Sequence, residues 1–404
     1  MTVHLHWKRI LLTCLIPCLA MTSLTASADQ DGSDDKTWQA ILEEADTASE
    51  WADDPIADLE LFSLKPDPLF LTTSLAAGAG HSSNFLKRPV AVGSPYLRAE
   101  GSLFLDWTLK NSSLSAMAFV EATFYEEDTT ASDEYLAYAQ LDWSRPVKDL
   151  EPGIMLETYY ADQIYDASLV SSNVPVGTHV RQFRPQAAAY LDWFVGQQDR
   201  LRLETAALRA DYDVDQEDYW EPILALEWER LWKKSLTSES RIEFSRQFYD
   251  EEVARNAQGT PLPGLIPLEV DRIAFDERII WNPKGRKWLQ AQLTGGVAWE
   301  IDRVGQFESM RQTWISASLK TSFKWGHLRV IGRWSEFNYD ERQVSYFDPT
   351  TQLLNQRGIR LEVKKKLPWN LALYLRANWS RLDSREEDEA YTDRRLEGLL
   401  EWSY

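Results

Sequence analysis

The chain has 404 residues, with 43 Lys and Arg against 63 Asp and Glu, a net charge of −20. That acidic balance excludes nucleic acid as a partner, since phosphate binding needs a basic face. Past residue 28 no stretch approaches 18 apolar residues, so no membrane helix is expected, and 18 Trp with 16 Tyr stand beside only 2 Cys and 5 His.

Residues 1–28 have the pattern of a secretory signal peptide: Lys8 and Arg9, an apolar run from Ile10 to Ala20, then Ala26-Ser27-Ala28 as a cleavage site. Cys14 and Cys18 both fall inside it, so the mature chain has no cysteine and neither a disulfide nor a thiolate metal site is expected. Residues 29–67 form an acidic tail of 13 Asp or Glu and 2 Lys. Within it Trp38, Ile41, Leu42, Ala45, Ala48 and Ala52 recur at helical spacing after Asp34 and Asp35. Either a short periplasmic helix or a solvated tail fits this segment.

From residue 68 to 404 the period is two. Leu97, Ala99, Gly101, Leu103, Leu105 and Trp107 alternate with Arg98, Glu100, Ser102, Phe104, Asp106 and Thr108. Leu371, Leu373, Leu375, Ala377 and Trp379 alternate with Ala372, Tyr374, Arg376, Asn378 and Ser380. Each such run reads as a strand with one apolar and one wet face. About sixteen occur, near 69–79, 95–108, 113–125, 134–144, 153–166, 180–194, 199–213, 217–232, 239–250, 269–281, 287–303, 308–324, 328–340, 355–366, 371–385 and 391–404.

Connections after even-numbered runs are mostly tight: 109–112, 195–198, 282–286, 326–327 and 367–370. A Gly326-His327 turn would pair Trp325 with Leu328. Connections after odd-numbered runs include the long stretches 80–94, 167–179, 251–268 and 341–354. Short turns at one end and long loops at the other suit a transmembrane barrel. Trp107, Trp143, Trp193, Trp228 with Trp232, Trp281, Trp325, Trp369 and Trp402 stand near the tight-turn ends, as an interfacial girdle would. Tyr404, Trp402 and Leu400 close the last run on its apolar face.

A signal peptide, alternating strands and this aromatic terminus resemble the outer-membrane β-barrel class of Gram-negative bacteria. The resemblance implies an all-β, antiparallel, porin-like transmembrane barrel with both termini periplasmic. It also implies that Tyr404, Trp402 and Leu400 carry the signal read by the barrel-assembly machinery, and that the outer surface meets lipid and lipopolysaccharide. A homo-oligomer is compatible with it. In hydrocarbon a sheet survives only when closed, and sixteen strands enclose more space than side chains fill.

No H-E-x-x-H, G-x-S-x-G or P-loop occurs, and no cofactor is implied. His81 and His179 are the residues a rim enzyme would use. The clusters Glu126-Glu127-Asp128 and Glu386 to Glu389 lack calcium-loop spacing and read as solvated loop faces. The wet faces separate by charge. Glu100, Asp106, Glu121, Asp142, Glu157, Asp192, Glu204, Glu227 and Glu243 are expected on an acidic wall. Lys320, Lys324, Arg329, Arg333, Arg360, Lys364, Arg376 and Arg395 are expected on an opposed basic wall. Either the opposed walls set up a transverse field, or the charges pair along the wall. Loop 251–268, with Pro261, Leu262, Pro263, Leu265 and Ile266, is expected to fold inward as a constriction or to pack on the rim. The expected function is passive diffusion of small hydrophilic solutes. A secretion or surface-assembly barrel, exporting polysaccharide or lipoprotein, is the rival.

Overall fold

The computed structural model describes residues 69–126, 133–164, 179–213, 218–233, 235–283, 288–345, 348–386 and 389–404. The signal segment, the acidic tail, and the centres of both acidic loop clusters lie outside them.

Sixteen strands follow one another: β1 (Leu69–Ser82), β2 (Ser94–Leu109), β3 (Ser112–Tyr125), β4 (Glu134–Ser144), β5 (Leu150–Ile164), β6 (His179–Val195), β7 (Asp199–Tyr212) and β8 (Tyr219–Lys233). Then come β9 (Leu236–Val253), β10 (Pro267–Trp281), β11 (Leu289–Asp302), β12 (Met310–Phe323), β13 (Gly326–Ser345), β14 (Asp348–Leu367), β15 (Leu371–Ser384) and β16 (Tyr391–Ser403). Each pairs antiparallel with its sequence neighbours, and β1 pairs with β16, so the sheet closes into a barrel. Closure leaves no unpaired sheet edge in the lipid. At the seam Thr73 and Tyr404 exchange backbone hydrogen bonds of 3.0 and 2.9 Å. The strands approach there so closely that a Cβ on Gly78 would stand 1.9 Å from the Gly398 carbonyl oxygen.

Burial alternates along each strand. In β2 Leu97 and Trp107 are exposed, whereas Arg98 and Phe104 between them are buried. A closed barrel whose exposed face is Leu, Ile, Val, Phe and Trp is an outer-membrane β-barrel, with its apolar face toward lipid. The tight-turn tryptophans all point outward rather than into a core, Trp193 and Trp402 among them. A second aromatic ring, formed by Phe124, Phe183, Trp220, Phe248 and Trp299, marks the long-loop end.

One turn differs from expectation. Phe323 pairs with Gly326, so the two-residue turn is Lys324-Trp325 and not Gly326-His327. Gly326 sits inside the ladder, where an added Cβ would lie 1.8 Å from the Lys364 carbonyl oxygen. Moving the turn back by two residues shifts the pairing by four, an even number that keeps every side chain on its face, so the alternation survives. His327 then points inward and is fully buried. Lys324 lies exposed in the turn and leaves the basic wall it was assigned to.

Candidate functional site: the inner wall

The inner wall carries both charges and apolar side chains. Phe104, Met117, Phe119, Leu136, Tyr138 and Tyr159 form one apolar band on β2–β5. Leu208, Tyr219, Tyr249, Leu268 and Val270 form another on β7–β10, and Met310, Phe337, Tyr339, Leu354, Leu382 and Tyr391 a third on β12–β16. The expectation of a uniformly wet inner face is therefore corrected. These side chains fill space against one another along the wall.

The charges pair along the wall in two arcs. The first crosses the β16–β1 seam. Arg98 Nε lies 2.7 Å from Glu100, its Nη2 2.8 Å from Glu121 and its Nη1 3.4 Å from Glu397. Arg376 donates to Glu362 and Glu100 at 2.8 Å each and reaches Glu397 at 3.5 Å. His327 Nε2 lies 3.1 Å from Glu362, and Lys364 Nζ 3.2 Å from Glu401. Arg395 pairs with Asp393 at 2.8 Å and with Glu134 at 3.7 Å. Closure thus mixes the walls: Arg376, Lys364 and Arg395 of the basic set meet acidic partners here, including Glu100.

The second arc lies on β4–β11. Arg202 grips Asp192 with two hydrogen bonds of 2.8 and 2.9 Å. Arg200 pairs with Glu227 at 2.5 Å, Arg241 with Glu204 at 3.0 Å, and Arg272 with Glu243 at 2.6 Å. Arg200 and Arg272 were missing from the expected acidic wall, although each carries the inward parity of its strand. Asp106 and Glu157 also face inward. The named pairs join strands at most four apart around the ring, so the carboxylates in them have their counter-charges beside them.

Two tyrosines build these arcs by the same device. Tyr190 on β6 lies over Gly153 on β5, where a Cβ would be 2.2 Å from the ring, and donates at 2.6 Å to Asp142 on β4. Tyr96 on β2 lies over Gly80 on β1 and donates at 3.0 Å to Glu397 on β16. Glycine is required because the ring occupies the volume of a side chain.

Small polar side chains gather on one stretch of β11 and β12, beside Trp314, whose ring lies over Gly296. Gln292, Thr294, Ser316 and Ser318 line it, half-buried. Lys320, Arg329 and Arg333 face inward in the same sector, and Arg360 stands next to it on β14. Arg329 Nε donates to Ser318 at 3.4 Å and Arg360 Nε to Asn378 at 2.8 Å.

The mouth is shaped by two loops. Residues 83–93 fold inward: Phe85 is fully buried and stacks on Tyr125 at 4.8 Å. Asp393 on β16 clips this loop, accepting from Ser82 Oγ at 2.8 Å and from the Asn84 backbone N–H at 3.0 Å. Loop 254–266 takes the rim position. Its Ala257 carbonyl accepts from the Gln343 N–H at 3.0 Å, while Leu265 at its tip is 69% exposed. His81 faces outward on β1. The side chain of His179 lies outside the described residues. Among the described residues no group of three or more His, Cys, Asp or Glu is placed to hold a metal ion.

No family model and no curated protein matches the chain. Solved structures do. OccAB3 of Acinetobacter baumannii is similar at 9% identity with a TM-score of 0.43, over 83% of this chain and 99% of that one. The outer membrane protein OpdK of Pseudomonas aeruginosa gives 10%, 0.45, 83% and 99%. A loop-deletion mutant of OmpT, an outer membrane protein of Vibrio cholerae, gives 10%, 0.45, 84% and 100%. The barrel described above rests on this chain's own strand pairing.

Proposed function

We propose that the chain is a passive outer-membrane channel for small hydrophilic solutes. The observation that carries this reading is the polar stretch Gln292, Thr294, Ser316 and Ser318, which lies between Trp314 and the cations Lys320, Arg329, Arg333 and Arg360. A solute entering there meets hydroxyls, amides and cations. Elsewhere the wall is filled by ion pairs and apolar packing. The cations raise the local concentration of anions and disfavour cations, so the path is anion-preferring. The Asp/Glu wall is largely neutralised by Arg200, Arg202, Arg241 and Arg272, so the field is set by the β12–β14 cations rather than by two opposed bare walls.

The reading needs no catalytic step. Tyr404, Trp402 and Leu400 on the outward face of β16 serve as the assembly signal. The test is the reversal potential of purified protein in planar bilayers under a salt gradient. Reversing Lys320, Arg333 and Arg360 to Glu is expected to move selectivity toward cations. An unchanged reversal potential in a conducting triple variant would remove this sector from the path.

A further inference from the structure

The two ends of the barrel differ in charge. Every lysine after residue 68 except Lys87 lies in a tight turn or within four residues of one. Lys110, Arg145, Lys148, Lys324, Lys365 and Lys366 stand exposed around that mouth. The cations of the two inner arcs have carboxylates beside them. By contrast, Lys110, Arg145, Lys148, Lys324 and Lys365 make no ion pair among the described residues. Among the described turn residues at this end, Asp149 is the one carboxylate.

The barrel also fixes where the acidic segment 29–67 joins. Leu69 opens β1 and pairs with Trp107 beside the β2–β3 turn, so the segment enters at the tight-turn mouth. Its 13 Asp or Glu against 2 Lys oppose the rim in sign. Lys110, Arg145 and Lys148 lie on the β2–β5 side of β1, and Lys324, Lys365 and Lys366 on the β12–β14 side. Fully extended, residues 29–67 would reach about 130 Å, whereas sixteen tilted strands close to about 30 Å across. Every rim cation is within that reach. The covalent tether holds the segment at an effective concentration on the order of millimolar.

We propose that residues 29–67 seat their carboxylates on this lysine-rich rim and cap the tight-turn mouth, so that the chain carries its own polyanionic cover. The contact stands on charge and tether alone; its role as a cover rests on the channel reading. Lys324 borders Lys320 and Arg329, which pair across β12 and β13. Carboxylates held there repel an entering anion and screen the cations that would attract it. Salt weakens the contact, since the Debye length falls from about 10 Å at 0.1 M to about 3 Å at 1 M.

The contact is tested on the mature full-length protein in lipid vesicles with a zero-length carbodiimide, which joins a carboxylate to a lysine it touches. Isotope-labelled and unlabelled copies are mixed, and the linked peptides are read by mass spectrometry. Links from 29–67 to Lys110, Lys148, Lys324, Lys365 or Lys366, of one label state and lost at 1 M salt, are expected. Three results overturn the proposal: no link to the rim, links to Lys87 as frequent as links to the rim, or links of mixed label, which make a second copy the occupant. The cover is tested by Glu43→Gln, Glu44→Gln, Asp46→Asn, Glu50→Gln, Asp53→Asn and Asp54→Asn combined. At 0.1 M salt this variant is expected to pass roughly twofold more anion current than the parent, with the difference fading at 1 M. A conducting variant with the parent's current at 0.1 M overturns the cover. If neither protein conducts, the channel reading fails, while the cross-links still decide the contact.

Discussion

Arg98 is the most connected cation of the seam, and its removal is the sharpest test of the wall network. Its side chain is 5% exposed and touches Glu100, Glu121 and Glu397, whose side chains are 13%, 17% and 0% exposed. Arg98→Met keeps the stem's packing but leaves Glu100 and Glu397 to Arg376 and takes away the cation 2.8 Å from Glu121. Breaking a buried pair on one side costs about 3–5 kcal/mol, and lumen water that reaches Glu121 lowers this to about 3 kcal/mol. That is roughly a hundredfold in the folding equilibrium. The assay is urea unfolding of protein folded into lipid vesicles, followed by Trp fluorescence. Adding Glu397→Gln to Arg98→Met should recover about 1–2 kcal/mol, because one orphaned charge is removed. Arg98→Met within about 0.5 kcal/mol of the parent would refute the argument that these carboxylates depend on it.

Gly153→Ala forces a methyl into the Tyr190 ring and should cost about 1–3 kcal/mol in the same unfolding assay. Adding Tyr190→Ala should leave Gly153→Ala nearly without further cost, since the collision is gone. Gly80→Ala should cost as much, but Tyr96→Ala should relieve it only in part, because the added Cβ would still lie 2.8 Å from the Leu396 carbonyl oxygen. Asp393→Ala frees the clip on residues 83–93 and should raise open-channel noise in single-channel records, with stability lowered by about 1–3 kcal/mol for the unpaired Ser82 and Asn84 donors. Shortening that loop across Phe85 should raise unitary conductance, whereas removing the exposed Pro261 to Ile266 tip should leave conductance unchanged.

The strand alternation and the aromatic boundary were legible because lipid imposes a period of two on every strand, from Leu97 to Tyr404. The Lys324-Trp325 turn was not, since a turn two residues earlier changes the pairing by an even number and leaves the alternation intact. Partners across the seam were equally hidden: Arg376 and Glu100 meet although 276 residues separate them, a contact that exists only once β1 and β16 pair. Arg200 was passed over because it stands beside a turn, where inward and solvent-facing positions look alike. Phe85 and Leu86 were the available signal that residues 83–93 tuck inward, an apolar pair within an otherwise polar stretch.

The central claim is that successive residues of each strand face water and lipid in turn. It is tested most directly by single cysteines along β12 in the otherwise thiol-free mature chain, probed with a charged, membrane-impermeant thiol reagent on reconstituted protein. Cysteine at 316, 318 and 320 is expected to react, and at 315, 317 and 319 to stay protected. Uniform reaction, uniform protection or the opposite parity would contradict a barrel that wraps water inside a lipid-facing wall.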